Sequence, residues 1–524
     1  MKSREEVWKN IKLHIKREWK IAFAVAFVLG LLIHMPIMLS DIPNHDGLAS
    51  MHFDQNMITS GRWFLSVACG FSSYYTLPWL IGLLAMLYLG LAAVALTEVL
   101  EVKSTWAIVG ISGLLVAFPA LASTFAYVFT MDGYMLAVLL ATMSVLLTKK
   151  YKWGFVAGGV CLSLSMGIYQ AYLAFAILLS IYSILLLAME QRSIKEIIKK
   201  SLNYLYMGIC GAGLYYVVLQ ILLKIQGKAL GTYQGAETVG EAGQTGLLEN
   251  IKNMYVDFFT FTLKGNVLAN NVFSYIAIGL LAVAVLVVLI IVAGKKKWFS
   301  KPWLYLFMVL LIVGLPVATN IILLILPDVT YHTLMRYQWV LFPILMIAFY
   351  EKKSEEMSQN TFVVSMEWVV VFSVIVLIWN YTVTDNIAYS NMQKKYEKTY
   401  SYCLRLLDRI EQTEGYYQGI PIAMIGVIGD EAYPTTDITG DVTAGLIGAG
   451  GDYLLYTGQN YKQFMEHYLG ASLNILPAEA MAEMYYSDEY VSMKSFPDKD
   501  SIKIIDGVMY IKTENVDKTL IAQP

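Results

Sequence analysis

The chain has 524 residues, of which 57% are hydrophobic and only 15% charged, where an ordinary soluble protein carries about 25% charged residues. Its formal net charge of −2 offers no electrostatic footprint for nucleic acid. Its cysteines, Cys69, Cys161, Cys210 and Cys403, show no C-x-x-C spacing that would suggest a zinc site or a disulfide framework. Apolar residues fall into runs of roughly 18–25, the length that crosses a hydrocarbon core as a helix, and not into the short alternating segments of barrel strands. The composition therefore describes a polytopic membrane protein.

In chain order, "KSREEVWKNIKLHIKREWK" places Trp8, Ile11, Ile15 and Trp19 on one stripe among lysines, which predicts an interfacial helix over residues 1–20 lying on the inner leaflet. The run from Ile21 to Ser40 is too long for a cleaved signal core and lacks a small-x-small site, so it reads as a retained first span. About eleven spans follow from hydropathy, over 20–40, 76–97, 105–122, 133–148, 153–170, 172–189, 203–223, 272–294, 303–326, 334–350 and 361–381. Lysines and arginines cluster on alternate sides, in the N-terminal segment, "KKYK" at Lys149, "RSIKEIIKK" at Arg192, "GKKKWFSK" near Lys295 and "EKK" near Lys352. The positive-inside rule makes those sides cytoplasmic, so the N-terminus is inside and an odd span count puts the C-terminus outside. "GKALGTYQGAETVGEAGQTG", starting at Gly227, reads as a mobile external loop.

After residue 385 the composition changes. "YEKTYSYCLRLLDRIEQTEG" has helical periodicity, "IPIAMIGVIGD" suits a buried strand, "AYPTTDITGD" is loop-like, and "SIKIIDGVMYIKT" reads as a hairpin around Asp506-Gly507. The expected fold is an all-α polytopic membrane domain over 21–385, with a functional first external loop at 41–75, followed by a small extracytoplasmic α/β domain over 386–524. That last segment holds eleven Lys/Arg against nineteen Asp/Glu, so it is acidic.

The polar rim of the first span carries the chemistry. Asp41, Asn44, His45, Asp46, His52, Asp54 and Arg62 all lie just past an apolar run. A solvated loop or helix caps would account for some of them. However, the loop alternates polar groups with Leu48, Met51, Phe53, Met57 and Ile58, as short interfacial helices do, and it carries one of the two arginines in the loops on the outer side of the spans; the other is Arg336. Moving a sugar from a lipid phosphate to a hydroxyl needs one carboxylate to accept the acceptor's proton and cations to hold the phosphate. Arginine's planar fork suits a phosphate, and glycoside hydrolysis would instead need two matched carboxyls. Asp132 in "TFAYVFTMDGYML" reads as a helix cap or a sugar ligand. Tyr169 and Gln170 in "SMGIYQAYLAF" read as an interfacial aromatic and an amide that needs partners. His332 and Tyr337 flank Arg336 as packing or interface residues. No Gly-rich phosphate loop is present, and a metal requirement stays open. A flippase or transporter of lipid-linked sugars would place charges at the midplane and show paired repeats; the other alternative is an envelope polysaccharide polymerase or acyltransferase, of which the acyltransferase would draw on His45, His52 and His332.

"NHDGLASMHFDQNMITSGRWFLSVACGFSSYYTLPWLIGLL", "YVFTMDGYMLAVLLATMSVLL" and "LSLSMGIYQAYLAF" resemble, in order and spacing, the first external loop and two later segments of the GtrII-type glucosyltransferases. The resemblance implies a membrane glycosyltransferase of the GT-C architecture in the bacterial plasma membrane. Such an enzyme uses a polyprenyl-phosphate sugar, often glucose, at the outer face to decorate envelope polysaccharide or a teichoic-acid-like polymer. It implies a base in the first external loop, a role that falls on Asp46, with Asn44 and the Gly61-Arg62 pair beside it. Where the family often has a second acid next to this aspartate, this chain has His45, so Asp41 remains the alternative carboxylate.

Overall fold

The computed structural model describes residues 15–231, 246–298, 301–326, 329–357, 361–425, 440–443, 445–446, 448, 454–455, 457–485 and 487–513. Trp8 and Ile11 of the N-terminal stripe, most of the Gly-rich loop after Gly227 and most of "AYPTTDITGD" lie outside these residues. Eight helices among them are long and apolar enough to cross a membrane. They are Arg17–Leu39, Pro78–Leu100, Val128–Lys150, Gln170–Met189, Ile194–Gln226, Val272–Lys295, Thr333–Glu355 and Thr361–Glu411. Three shorter apolar helices, Thr105–Ala117, Gly154–Ile168 and Pro302–Val313, fall where hydropathy predicts further spans. The chain is thus a helical polytopic membrane protein.

Local chemistry sets the helix ends. Pro78 and Pro302 occupy first-turn positions, where a missing N–H leaves no bond unmade. Asn271 and Ser274 form a reciprocal capping box, and Gly227 closes its helix at φ 61°. Helix α1 (Arg17–Leu39) packs on Pro78–Leu100, which packs in turn on Met131–Lys150. Gly154–Ile168 is wedged between that last helix and Ile194–Gln226. Its glycines permit the fit: a Cβ on Gly158 would sit 2.4 Å from Thr148 Oγ1, and one on Gly159 would sit 2.9 Å from Cys210. Small residues of this kind let helix backbones approach in lipid.

The basic clusters converge at one end of the bundle. Glu98 accepts from Lys16 Nζ and Trp19 Nε1, each at 2.6 Å, and pairs with Lys150. Glu101 pairs with Lys149 and Lys352, both at 2.9 Å, and Lys352 reaches Glu190 at 3.4 Å. Burial opposes ionisation of Glu101, but the hydrogen bonds and charges of Lys149 and Lys352 outweigh it and bring its carboxyl down to about 2.

Two boundaries differ from the sequence expectation. The first span begins at Arg17, inside the segment expected to lie flat. The helix that carries the last span does not stop near residue 381: Thr361–Glu411 is one 51-residue helix. It contains no Gly or Pro, so nothing breaks the backbone where the sequence turns polar, and at 1.5 Å per residue it reaches about 77 Å. Its far end packs under a four-stranded sheet of order β2-β1-β4-β3. Here β1 (Pro421–Ile425) runs parallel to β2 (Asn474–Ile475) and to β4 (Val508–Lys512), and β3 (Ile502–Ile505) forms a hairpin with β4. Asp506 and Gly507 both have positive φ, the backbone of a tight two-residue hairpin turn.

Candidate active site

At the end of the bundle opposite the ion network, the loop that follows α1, residues 41–75, folds into short pieces. Asn44 starts helix α2 (His45–Ala49) by accepting from Gly47 N at 2.7 Å, and its amide donates to the Ala126 carbonyl at 2.9 Å. Both ends of the Asn44 side chain are therefore used in holding α2 against the bundle. His45 Nε2 lies 3.6 Å from Asp46 Oδ1, and the Asp46 side chain is 56% exposed, so its carboxylate is hydrated.

A tight turn then presents Arg62. Gly61 sits at φ 76°, and a Cβ there would lie 2.5 Å from both Gln170 Nε2 and Tyr215 Oη. Only glycine fits this backbone and this space. Gln170 Nε2 donates to the Ser60 carbonyl at 2.9 Å and to Tyr215 Oη at 3.0 Å, and Tyr215 Oη donates to the Gly61 carbonyl at 3.1 Å. So clamped, Arg62 lies over the Tyr169 ring at 4.7 Å and donates to Tyr134 Oη at 3.4 Å. Tyr134 and Tyr169 stack in parallel at 4.7 Å.

These groups surround one cavity of about 370 Å³, within the roughly 300–1,000 Å³ of small-molecule sites. His45, Asp46, Arg62, Tyr134, Tyr169 and Gln170 line its polar side. Ile322, Leu326, Val329, Leu334 and Met335 line an apolar wall, with His332 beside them. Burial, and then the Arg336 charge, lower the pKa of His332, which favours its neutral form.

Of the residues singled out from the sequence, Asp41, Asn44, His52, Asp54, Asp132 and Arg336 do not line this cavity. Asp41 is outside the cavity, in a 10 Å³ niche with Asn44 and Tyr468. Asp132 is fully buried against Ser72 and Cys69, and its Oδ1 accepts from Gly133 N at 2.8 Å. Arg336 does not line the cavity. Its guanidinium makes two parallel bonds to Asp257, at 2.6 and 2.7 Å, donates to the Tyr331 carbonyl, and lies over the rings of Phe261 and Tyr331. Sequence reasoning missed Tyr134 and Tyr215. Tyr134 lies two residues past Asp132 in a stretch already noted, whereas Tyr215 looks like any tyrosine inside a span. Among the described residues no group of three or more His, Cys, Asp or Glu is arranged around a metal position.

The profile of the family described as Glucosyl transferase GtrII matches residues 35–347, more than half of the chain. The chain belongs to the GtrII glucosyl transferase family. The match begins inside α1 and takes in every cavity residue named above, so the cavity lies within the GtrII region. Membership implies glucosyltransferase activity, with a sugar donor and an acceptor as substrates. No curated protein and no solved structure matches the chain.

Proposed function

We propose that this GtrII protein is a GT-C-type glucosyltransferase of the bacterial plasma membrane. It moves glucose from a polyprenyl-phosphate donor to an envelope polysaccharide or a teichoic-acid-like polymer at the outer face. The observation that carries the reading is the two-sided cavity, where a carboxylate and a guanidinium face an apolar wall. A polyprenyl phosphate has the matching halves: an anion for Arg62 and a hydrocarbon chain for Ile322, Leu326 and Met335.

In this reading Arg62 binds the donor phosphate, held by its stack on Tyr169. Asp46 accepts the proton of the acceptor hydroxyl as its oxygen attacks the anomeric carbon. The bond from that carbon to phosphate breaks, and the phosphate leaves on the lipid without a general acid. Direct displacement inverts the anomeric configuration. Gln170 and Tyr215 set the Arg62 turn, Arg336 braces the cavity's far wall through Asp257, and Asp132 supports the loop from below. The converged basic clusters favour a cytoplasmic location for the opposite end, which leaves the cavity and the C-terminal α/β domain outside.

The test is donor choice. Purified protein is given labelled polyprenyl-phosphate glucose or labelled UDP-glucose, with envelope polymer as acceptor. Label passing to polymer from the lipid donor alone is the expected result. Transfer from the nucleotide sugar would overturn the reading.

A further inference from the structure

Helix α2 has only five residues, too few to be stable by itself, yet it carries the group that must meet the acceptor hydroxyl. One side of it is pinned to the bundle through Asn44. The other side is held by the far end of the chain. Leu48, 1% exposed, belongs to the same apolar cluster as Tyr402, Leu406 and Phe464. Helix Gly458–Phe464 packs on α2, and Asn460 Nδ2 donates to the His45 carbonyl at 3.4 Å. Tyr468, in the turn after that helix, shares a niche with Asp41, with its hydroxyl close enough to favour the ionised Asp41 carboxylate, and its ring meets Tyr396 of the 51-residue helix at 5.5 Å. The same region also reaches the cavity walls. Thr333 Oγ1 donates to the Gly445 carbonyl, and Gly448, at φ 82°, lies so close to Tyr127 that a Cβ would come within 2.8 Å of its ring.

We propose that the C-terminal region is a working part of the active site, in which Asp41, Asn460 and Tyr468 are positioning residues that fix α2 and thereby aim Asp46 into the cavity. This rests on the assignment of Asp46 as the base. It also gives Asp41 a role that does not require contact with substrate. Burial pushes the Asp41 carboxyl up, only partly offset by the His467 charge and the Tyr468 hydrogen bond, so ionised Asp41 costs stability where it sits. That cost is full above its raised pKa and vanishes below the ordinary carboxylate range. A carboxylate kept at a loss of stability, against the loop that carries Asp46, is placed for function.

The consequence is readable in the fate of the glucose. With α2 fixed, the anomeric carbon exchanges its bond to phosphate for one to the acceptor oxygen. With α2 loose, water takes the acceptor's place: the carbon bonds to a water oxygen as its bond to phosphate breaks, the water's proton passes to the departing lipid phosphate or to solvent, and free glucose leaves. Exclusion of this side reaction is a usual result of closing a site. The full-length protein in native membranes, with their own polymer, is given polyprenyl-phosphate [14C]glucose, and polymer-bound and free label are compared. Asp41→Asn, Asn460→Ala and Tyr468→Phe each lower the bound-to-free ratio about tenfold. The double variant Asp41→Asn/Tyr468→Phe falls no further than either single one, because the two groups act as a pair. Asp41→Asn melts no lower than the parent at neutral pH. A fall in total turnover at constant ratio means that the contact serves folding only, and overturns the proposal. An unchanged ratio in all three variants, with Asp46→Asn inactive, overturns it and leaves the proposed function standing. No transfer by the parent protein overturns both.

Discussion

Arg62 shows how much of the site one side chain organises. Its guanidinium is held at one face by the Tyr169 ring and at one edge by Tyr134, and its backbone follows a turn that only Gly61 can make. A lysine in its place keeps the charge but loses the fork and the stack. Arg62→Lys therefore raises the KM for polyprenyl-phosphate glucose by about tenfold, equivalent to about 1.4 kcal/mol, and leaves the melting temperature within a degree or two. Steady-state kinetics over a donor series checks this. The sequence exposed Arg62, Asp46, Tyr169 and Gln170 because a polar group at the rim of an apolar run demands a reason. It could not show that Gln170 spends its amide on Ser60 and Tyr215, since Tyr215 is 45 residues away along the chain and sits in a hydrophobic span.

At the scale of elements, hydropathy located the membrane helices because lipid forces every backbone polar group into an internal bond and every outward face to be apolar. It did not show how far the last helix runs. The sequence turns polar after Tyr381, but the helix continues to Glu411. The pairing of helix Leu247–Lys264 with the segment after His332 was equally hidden, because the ion pair between Asp257 and Arg336 spans 79 residues. That pair is now the natural account of Arg336. The arginine side chain is 8% exposed and the aspartate 26%, so removing the carboxylate strands a nearly buried cation. Asp257→Ala costs about 2 kcal/mol of stability. Asp257→Ala/Arg336→Leu recovers part of that loss, as thermal melting in detergent measures. An Asp257→Ala protein that melts like the parent would contradict the bracing role.

Over the whole molecule, chemistry is divided between the two ends of the bundle. One end gathers Lys16, Lys149, Lys150 and Lys352 onto Glu98 and Glu101, and the other assembles the cavity. Because ionised Glu101 is favoured in the folded state, with its carboxyl brought down from 4.5 to about 2, its contribution is present above pH 4.5 and fades as pH falls toward 2. Glu101→Gln thus narrows the difference in melting temperature between pH 6 and pH 3. An unaltered difference would remove this network from the stability of that end.

The long helix and the sheet return the C-terminal region to the loop after α1, so that residues 415 apart meet at His45. No local pattern in the sequence announces that contact, because Asn460 and His45 each look like ordinary loop residues.

The most direct test of the account compares Asp46→Asn with Asp41→Asn, each purified and folded, in single-turnover transfer from labelled polyprenyl-phosphate glucose. With Asp46 as the base, Asp46→Asn loses at least about 100-fold in the transfer step, whereas Asp41→Asn still turns over and sends more of its glucose to water. Full transfer by Asp46→Asn, or its abolition in Asp41→Asn alone, would contradict the account.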